Sequence, residues 1–459
     1  MTTINLNIST MIPIKTFGIK FFFIVTSLFP VSLLGQKNKN VVSPSDSIQV
    51  AFYKFMNKTN FINHEKRTFD FVSPLNFFKQ YSELQGWDSL KMSSFYSMVG
   101  THLSYCGDYS KAIAFYDSSY LSFVQNQRIN NNFKARIKDS ILVSSLKLEN
   151  AINIIQTSAK KSRIVIIGEA HHIPEHRILT YSLLRSLRDA GYNYIGLEAL
   201  QDSLVLDNPI GVSTGVYTSE PIYGNMIRYA KKLGFKIISY DCNSCGSMNQ
   251  REEVAAERIS QLLLNNPNMK IILHTGYSHG SEKQIPGVFN PLGFLLKKTT
   301  GINPVTIDQS TLKETTTNTI YSYYNKALIK RFNVDQPMIV LDSLKNPINF
   351  SDLNETFFDF TIVNPSIEKI NSIFLKENTN LERTIIDIKK FKSSNAIVFQ
   401  LYSTDEFNQI GDFNKIVPLC QRLITNENLY SVITPKGNVY LVIRNLNNKI
   451  IAKSKLHIK

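Results

Sequence analysis

The chain has 459 residues, 43% of them hydrophobic and 19% charged, which gives material for roughly two to four domains and excludes a disordered, collagen-like or multi-pass membrane protein. Its formal charge of +15 arises from 51 Lys and Arg against 36 Asp and Glu. The basic residues gather only into pairs such as Lys160-Lys161, Lys231-Lys232 and Lys297-Lys298, with no nucleic-acid motif beside them, so a solvated surface with no nucleic acid as partner is expected.

Lys15 and Lys20 precede an apolar run from Phe21 to Leu34, followed by Gly35 and Gln36, the pattern of a secretory signal peptide over residues 1–36. The run is shorter than the roughly 20 residues of a membrane helix and contains Pro30, so no stable membrane span is expected after cleavage. No Cys follows it to take a lipid, and the uncharged stretch before Met11 leaves the start open between Met1 and Met11. An exported protein, periplasmic or extracellular, would begin near Gln36. In an oxidising compartment Cys242 and Cys245 are the natural disulfide pair, although their C-N-S-C spacing also suits half a zinc site or a redox pair.

Residues 45–160 carry apolar residues at helical spacing, among them Phe52, Phe55, Phe77, Phe78, Tyr81, Leu84, Ile141, Leu142 and Leu146, and predict an all-helical region. Within it 100–120 resembles one tetratricopeptide repeat, with Gly107-Asp108-Tyr109 at the turn and Ala112 and Tyr116 facing the partner helix; two ordinary packed helices fit as well. Such a region could recruit a protein partner. Residues 161–390 alternate short apolar runs with helical segments, the signature of βαβ units and a mainly parallel sheet flanked by helices, hence an α/β fold class. Strands are predicted at 163–167, 193–197, 235–240, 269–273 and 305–307, and helices at 174–190, 223–233 and 250–264. Pro174 opens the first of these helices, and Gly191 and Gly234 follow helix ends. A helix at 321–332 and strands at 338–341 and 357–363 complete the domain. Residues 391–459 read as a small β module, with alternating runs at 429–434, 439–444 and 449–458 around the turn Pro435-Lys436-Gly437-Asn438.

Polar residues follow directly on the predicted strands: Glu169, His171 and His172 after the first, Glu198 after the second, Asp241 after the third and His274 at the fourth. Parallel strands gather such ends along one edge, where open α/β sheets bind ligands. Carboxylates beside imidazoles supply what water activation and proton transfer to a leaving group need near neutral pH, so a hydrolase is the natural inference. No Gly-x-Ser-x-Gly elbow and no Gly-rich phosphate loop is present, which disfavours a serine-nucleophile esterase and a nucleotide-dependent enzyme. His172-Ile173-Pro174-Glu175-His176 matches the H-x-x-E-H of inverted zinc peptidases, but Pro174 fits only a first helical turn and leaves His172 off the helix. Glu175 is then a first-turn acid favouring the helix dipole.

Ile167-Gly168-Glu169-Ala170-His171-His172, Gly196-Leu197-Glu198, Arg251-Glu252 and Leu273-His274-Thr275-Gly276-Tyr277-Ser278-His279 resemble the erythromycin esterase-like group, within the wider superfamily of ChaN haem-uptake proteins and Tiki proteases. The resemblance covers about a third of the chain, from Arg163 to Gln309. It implies a catalytic set of Glu169, His172, Glu198 and His274. His172 would take a proton from water, Glu169 or Glu198 would orient its ring, and His274 and Arg251 would bind the oxyanion or leaving group. Arg251, His171, Tyr277 and His279 would contact a small-molecule substrate, with no cofactor required. The haem- or metal-binding relatives imply the alternative, a divalent metal or haem held by His171, His172, His274 or His279, including a metal-dependent protease. A scaffold whose central site has lapsed is a third expectation. The resemblance leaves the substrate open.

Overall fold

The computed structural model describes residues 60–459 except 64, 81–88, 125–139, 199, 201–208, 216, 243, 286–288, 351–355 and 392–395; the expected signal peptide lies outside the described residues. The described chain opens with a short hairpin, β1 (Ile62–Asn63) and β2 (Thr68–Phe69), then helices α1 (Ser73–Gln80), α2 (Ser89–Tyr105) and α3 (Tyr109–Val124). The predicted helical pair is therefore α2 and α3, turned by Gly107 at φ 76°, a left-handed conformation that suits glycine. Gly100 lets the two helices approach, since a Cβ there would stand 2.5 Å from Tyr116 Cδ2.

The centre contains an eight-stranded sheet. After α4 (Ser140–Ser145) come β3 (Lys147–Asn150), α5 (Ala151–Ala159), β4 (Ile164–Glu169), α6 (Glu175–Asp189), β5 (Tyr194–Leu197), α7 (Pro221–Lys232), β6 (Lys236–Ser239), α8 (Met248–Asn265), β7 (Ile271–Gly276), α9 (Leu292–Thr300), β8 (Val305–Asp308), α10 (Ile320–Phe332), β9 (Met338–Leu341) and β10 (Phe360–Val363). The strand order is β3-β9-β10-β8-β4-β7-β5-β6, parallel from β10 to β6 and antiparallel where β9 meets β10 and β3. The α/β fold class follows. β4 and β7 are buried at every position, as parallel strands covered by helices on both faces should be. One apolar core holds Ile167, Leu179, Ile195 and Met226, and a second, on the opposite face, holds Ile166, Ile259, Leu273 and Leu296.

Helix starts obey local chemistry. Glu220 caps α7 by accepting the Tyr223 amide, with Pro221 in the first turn, and Ser247 caps α8 by accepting from the Gln250 amide. Gly191 and Gly234 stand just past α6 and α7 at φ 90° and 77°, as expected of helix stops.

After α11 (Ser372–Asn378) the chain forms β11 (Leu381–Asp387), β12 (Ala396–Ser403), α12 (Thr404–Ile410), β13 (Cys420–Leu423), β14 (Leu429–Pro435), β15 (Gly437–Asn445) and β16 (Ile450–Ile458). β13-β12-β15-β16 is an antiparallel sheet, and β11 pairs with β14 over seven residues. Strand pairing crosses the boundaries expected at 160/161 and 390/391: β3 joins the central sheet through β9, with α5 packed in the same core, and β11 pairs with β14 of the C-terminal module. The first region is not all-helical, because β1 and β2 precede its helices. The C-terminal module is stitched to both other parts: Arg228 pairs with Glu406, Asn225 donates to the Leu419 carbonyl, and the Leu423 amide donates to the Cys106 carbonyl. Cys242 and Cys245 are joined by a disulfide, while Cys106 and Cys420 are free and buried. Among the described residues no helix is long and apolar enough to cross a membrane.

Candidate functional site

The sheet brings the polar strand ends together as its parallel topology requires. Glu169 ends β4, Glu198 and Asp241 follow β5 and β6, and His274 lies near the end of β7. These side chains are buried and connected.

Glu169 is the hub. Its Oε1 meets His171 Nδ1 at 2.8 Å, and its Oε2 meets His274 Nε2 at 2.9 Å. Arg177 on α6 grips the same carboxylate with Nε at 2.8 Å and Nη2 at 2.9 Å. Burial opposes ionisation of Glu169, but the Arg177 charge, then His274 and the histidine hydrogen bonds, hold the carboxyl well below the usual range. Arg177, fully buried, also donates through Nη1 to Glu220 at 2.9 Å and through Nη2 to the His171 carbonyl at 2.6 Å. One guanidinium thus serves two carboxylates and a turn.

Glu198 forms a second cluster. It accepts from Arg251 Nη2 at 2.7 Å and from the Gly276 amide, and His279 Nε2 stands 3.7 Å away. Burial again opposes the charge, yet His279 and Arg251 bring the Glu198 pKa down to about 2. Asp241 chelates Arg251 through Nε and Nη2, both at 2.5 Å, and His279 Nδ1 bonds Glu252 at 2.6 Å. Against the cost of burial, Glu252 and Glu198 raise the His279 pKa, favouring the imidazolium. The disulfide begins at Cys242, immediately after Asp241, and fixes the start of the loop that leads into α8.

The two clusters meet at Gly276. A Cβ there would lie 2.4 Å from His171 Nε2 and 3.0 Å from Glu198 Oε2, so an acceptor nitrogen and an ionised carboxylate flank one glycine. Tyr277, held at φ 41°, follows directly; its ring meets His171 edge-on at 5.3 Å, and its hydroxyl lies 3.5 Å from His172 Nδ1. Tyr217 stacks on His171 at 4.0 Å and Tyr116 on His172 at 3.8 Å.

The orientation of His172 by Glu169 or Glu198 is not found. Consecutive residues of the turn after β4 diverge, so Glu169 takes His171 and His274 instead, and His172 faces Tyr116 with its Nε2 buried and unpartnered. Burial, then Lys313 and neighbouring His176, His171 and Arg177, push the His172 pKa well down. His274 is not placed to bind an oxyanion either: its Nδ1 meets Thr180 Oγ1 at 3.0 Å and its Nε2 is on Glu169, so both ring nitrogens are committed. Arg251 spends Nε and Nη2 on Asp241 and Glu198 and keeps a partly exposed edge.

His176 completes the picture of the H-x-x-E-H segment. It accepts the Ala170 amide through Nδ1 at 2.9 Å, and burial brings its pKa to about 3. Glu175 turns away to accept the Ile367 amide. It stands in the first turn of α6 as expected, and burial raises its pKa to about 8, against the backbone hydrogen bonds that lower it. Linkage gives a sign: an unfolded histidine binds a proton near pH 6.5, whereas native His176 and His172 do not until much lower. Their contribution to stability is complete above pH 6.5 and is lost as pH falls below it, for His176 towards about 3. The urea midpoint is therefore expected to be lower at pH 5 than at pH 7, and to recover part of that difference in His176→Gln.

Sequence reasoning missed Arg177, Glu220 and Tyr217, and it named Glu252, His176 and Tyr116 without assigning them to the site. Arg177 left one signal, an arginine inside the otherwise apolar face of a helix that follows a buried strand. A metal or haem fits this donor set poorly. Glu169 and Glu198 are each neutralised by a guanidinium, His274 has no nitrogen to give and His279 is drawn to its proton by two carboxylates. Among the described residues no three His, Cys, Asp or Glu side chains group to hold a metal ion.

No protein-family model and no curated protein sequence matches the chain. The solved structures to which the chain is similar include two toxin chains. One is a bacterial protein toxin, 12% identical over 62% of this chain and 71% of that one, with a TM-score of 0.29. The other is RRSP, a MARTX toxin effector domain from Vibrio vulnificus, 14% identical over 61% of this chain and 67% of that one, with a TM-score of 0.28. At these scores the likeness carries no functional argument.

Proposed function

We propose that the chain is an exported hydrolase of erythromycin esterase-like type, acting on an ester or related acyl bond of a small molecule with water activated by a carboxylate–imidazole dyad. The observation that carries the reading is the convergence of His171 Nε2 and Glu198 Oε2 on Gly276, with Glu169 behind His171. His171 takes the proton from water. The Glu169 carboxylate accepts its Nδ1 hydrogen and stabilises the imidazolium, as a buried carboxylate does for a catalytic histidine. His172 lacks a carboxylate partner and resists protonation, so it acts as a neutral hydrogen-bonding group towards the carbonyl oxygen through Nε2. His279, favoured as imidazolium, is the group able to give a proton to the leaving oxygen, and Arg251 holds the acyl group near it. His274 positions Glu169.

Gly276→Ala tests the convergence directly. The added methyl would overlap His171 and Glu198 at sub-van der Waals distance, and kcat/KM for an aryl ester is expected to fall about a hundredfold or more, with the circular dichroism of the fold retained. Unchanged turnover in a folded Gly276→Ala protein would remove the basis of the reading.

A further inference from the structure

We infer that Tyr116, contributed by the helical hairpin far from the sheet in sequence, is a positioning residue of the site: it holds the His172 ring by stacking so that Nε2 points to the reacting group. The inference rests on the hydrolase reading for its kinetic consequence, while the stacking role stands on geometry. His171 is oriented by Glu169, His274 by Glu169 and Thr180, and His279 by Glu252. His172 has no comparable anchor. Its Nδ1 is 3.5 Å from the Tyr277 hydroxyl, its Nε2 is unpartnered, and its ring is stacked on Tyr116, nearly parallel at 12° with centroids 3.8 Å apart. A stacked ring contact of this kind fixes a ring that hydrogen bonds leave loose.

Tyr116 is itself fixed from three sides. Its hydroxyl bonds Thr101 Oγ1 at 2.5 Å, and its ring packs into the space left by the missing side chain of Gly100. The next residue, Asp117, accepts from Thr315 Oγ1 at 2.7 Å, the Thr316 amide at 2.5 Å and Thr316 Oγ1 at 2.7 Å, tying α3 to the loop after β8. That loop also carries Lys313, which with Arg177, His171 and His176 makes up the titratable surroundings of His172. The hairpin is thus part of the site.

The test uses the full mature chain with labelled histidine, the His172 resonance being assigned by its loss in His172→Gln. In the wild type and in Tyr116→Phe, which keeps the ring, the His172 signal is expected to stay constant from pH 5 to pH 8. In Tyr116→Leu the freed ring meets solvent and should titrate within that range. With an aryl ester as probe, kcat in Tyr116→Leu is expected to fall about tenfold, the equivalent of one aromatic contact, with KM little changed and with activity kept in Tyr116→Phe. Should Tyr116→Leu fail to fold, Gly100→Ala displaces the same ring by its added methyl and should produce the same two changes. A His172 signal that still does not titrate in the folded variant overturns the stacking role. Titration with wild-type kcat overturns the positioning role. Absence of ester turnover in the wild type counts against the hydrolase reading alone, since the titration still decides the stacking.

Discussion

Arg177→Met is expected to destabilise the protein by about 3–5 kcal/mol, the cost of breaking a buried charge pair from one side. The guanidinium is fully buried and holds Glu169 by two nitrogens, Glu220 by a third contact and the His171 carbonyl by a fourth, with its Cζ 5.0 Å from the centroid of the Tyr223 ring. Without it two carboxylates remain in the core, and one of them, Glu220, also caps α7. Protonation of both would relieve the loss, so the deficit should shrink as pH falls. Arg177→Lys keeps the charge but loses the fork, and it should fall between wild type and Arg177→Met. Urea unfolding at pH 7 measures the difference; a change below about 1 kcal/mol would show that the carboxylates find other partners.

His171→Ala is expected to lower hydrolysis by about 10²–10⁴-fold, the range of a general base, with stability far less affected than by loss of Arg177. Glu169 keeps Arg177 and His274 when His171 is removed, so no unpaired charge is created. His172→Ala should cost less, because its imidazole is a neutral hydrogen-bonding group. The opposite ranking would return the base to His172, as the sequence resemblance implies. The raised pKa of His279 adds a signature. As a general acid it is competent while protonated, so the rate should decline as pH rises through its pKa, and His279→Ala should lose that alkaline limb. The same proton contributes stability that is fully present below the unfolded pKa of about 6.5 and lost as pH rises through the native value.

Much of the frame was legible because apolar strands ending in polar residues have a readable pattern. β4, β7 and β8 read as buried runs, and Glu169, Glu198, Asp241 and His274 were found by standing at strand ends. The pairing within the site was not legible. Whether Glu169 meets His171 or His172 depends on the turn after β4, and one residue reverses the answer. Arg177 was missed because an arginine near a helix start ordinarily faces solvent. Only the enclosure of α6 between the sheet and other elements makes it interior. Tyr116 was expected to face a partner helix, and its ring does pack against Gly100, but its second contact, with His172, crosses between parts of the chain. The strands β3 and β11 are polar and lie outside the βαβ pattern, so their membership shows only in their pairing.

The most direct measurement is acid release by the purified mature protein from a panel of aryl esters, lactones and thioesters, with and without a strong chelator. The account predicts turnover of at least one acyl class, unaffected by the chelator, because the carboxylates are already paired with arginines and His274 is fully engaged. Turnover abolished by the chelator, or no release from any member of the panel, would contradict it.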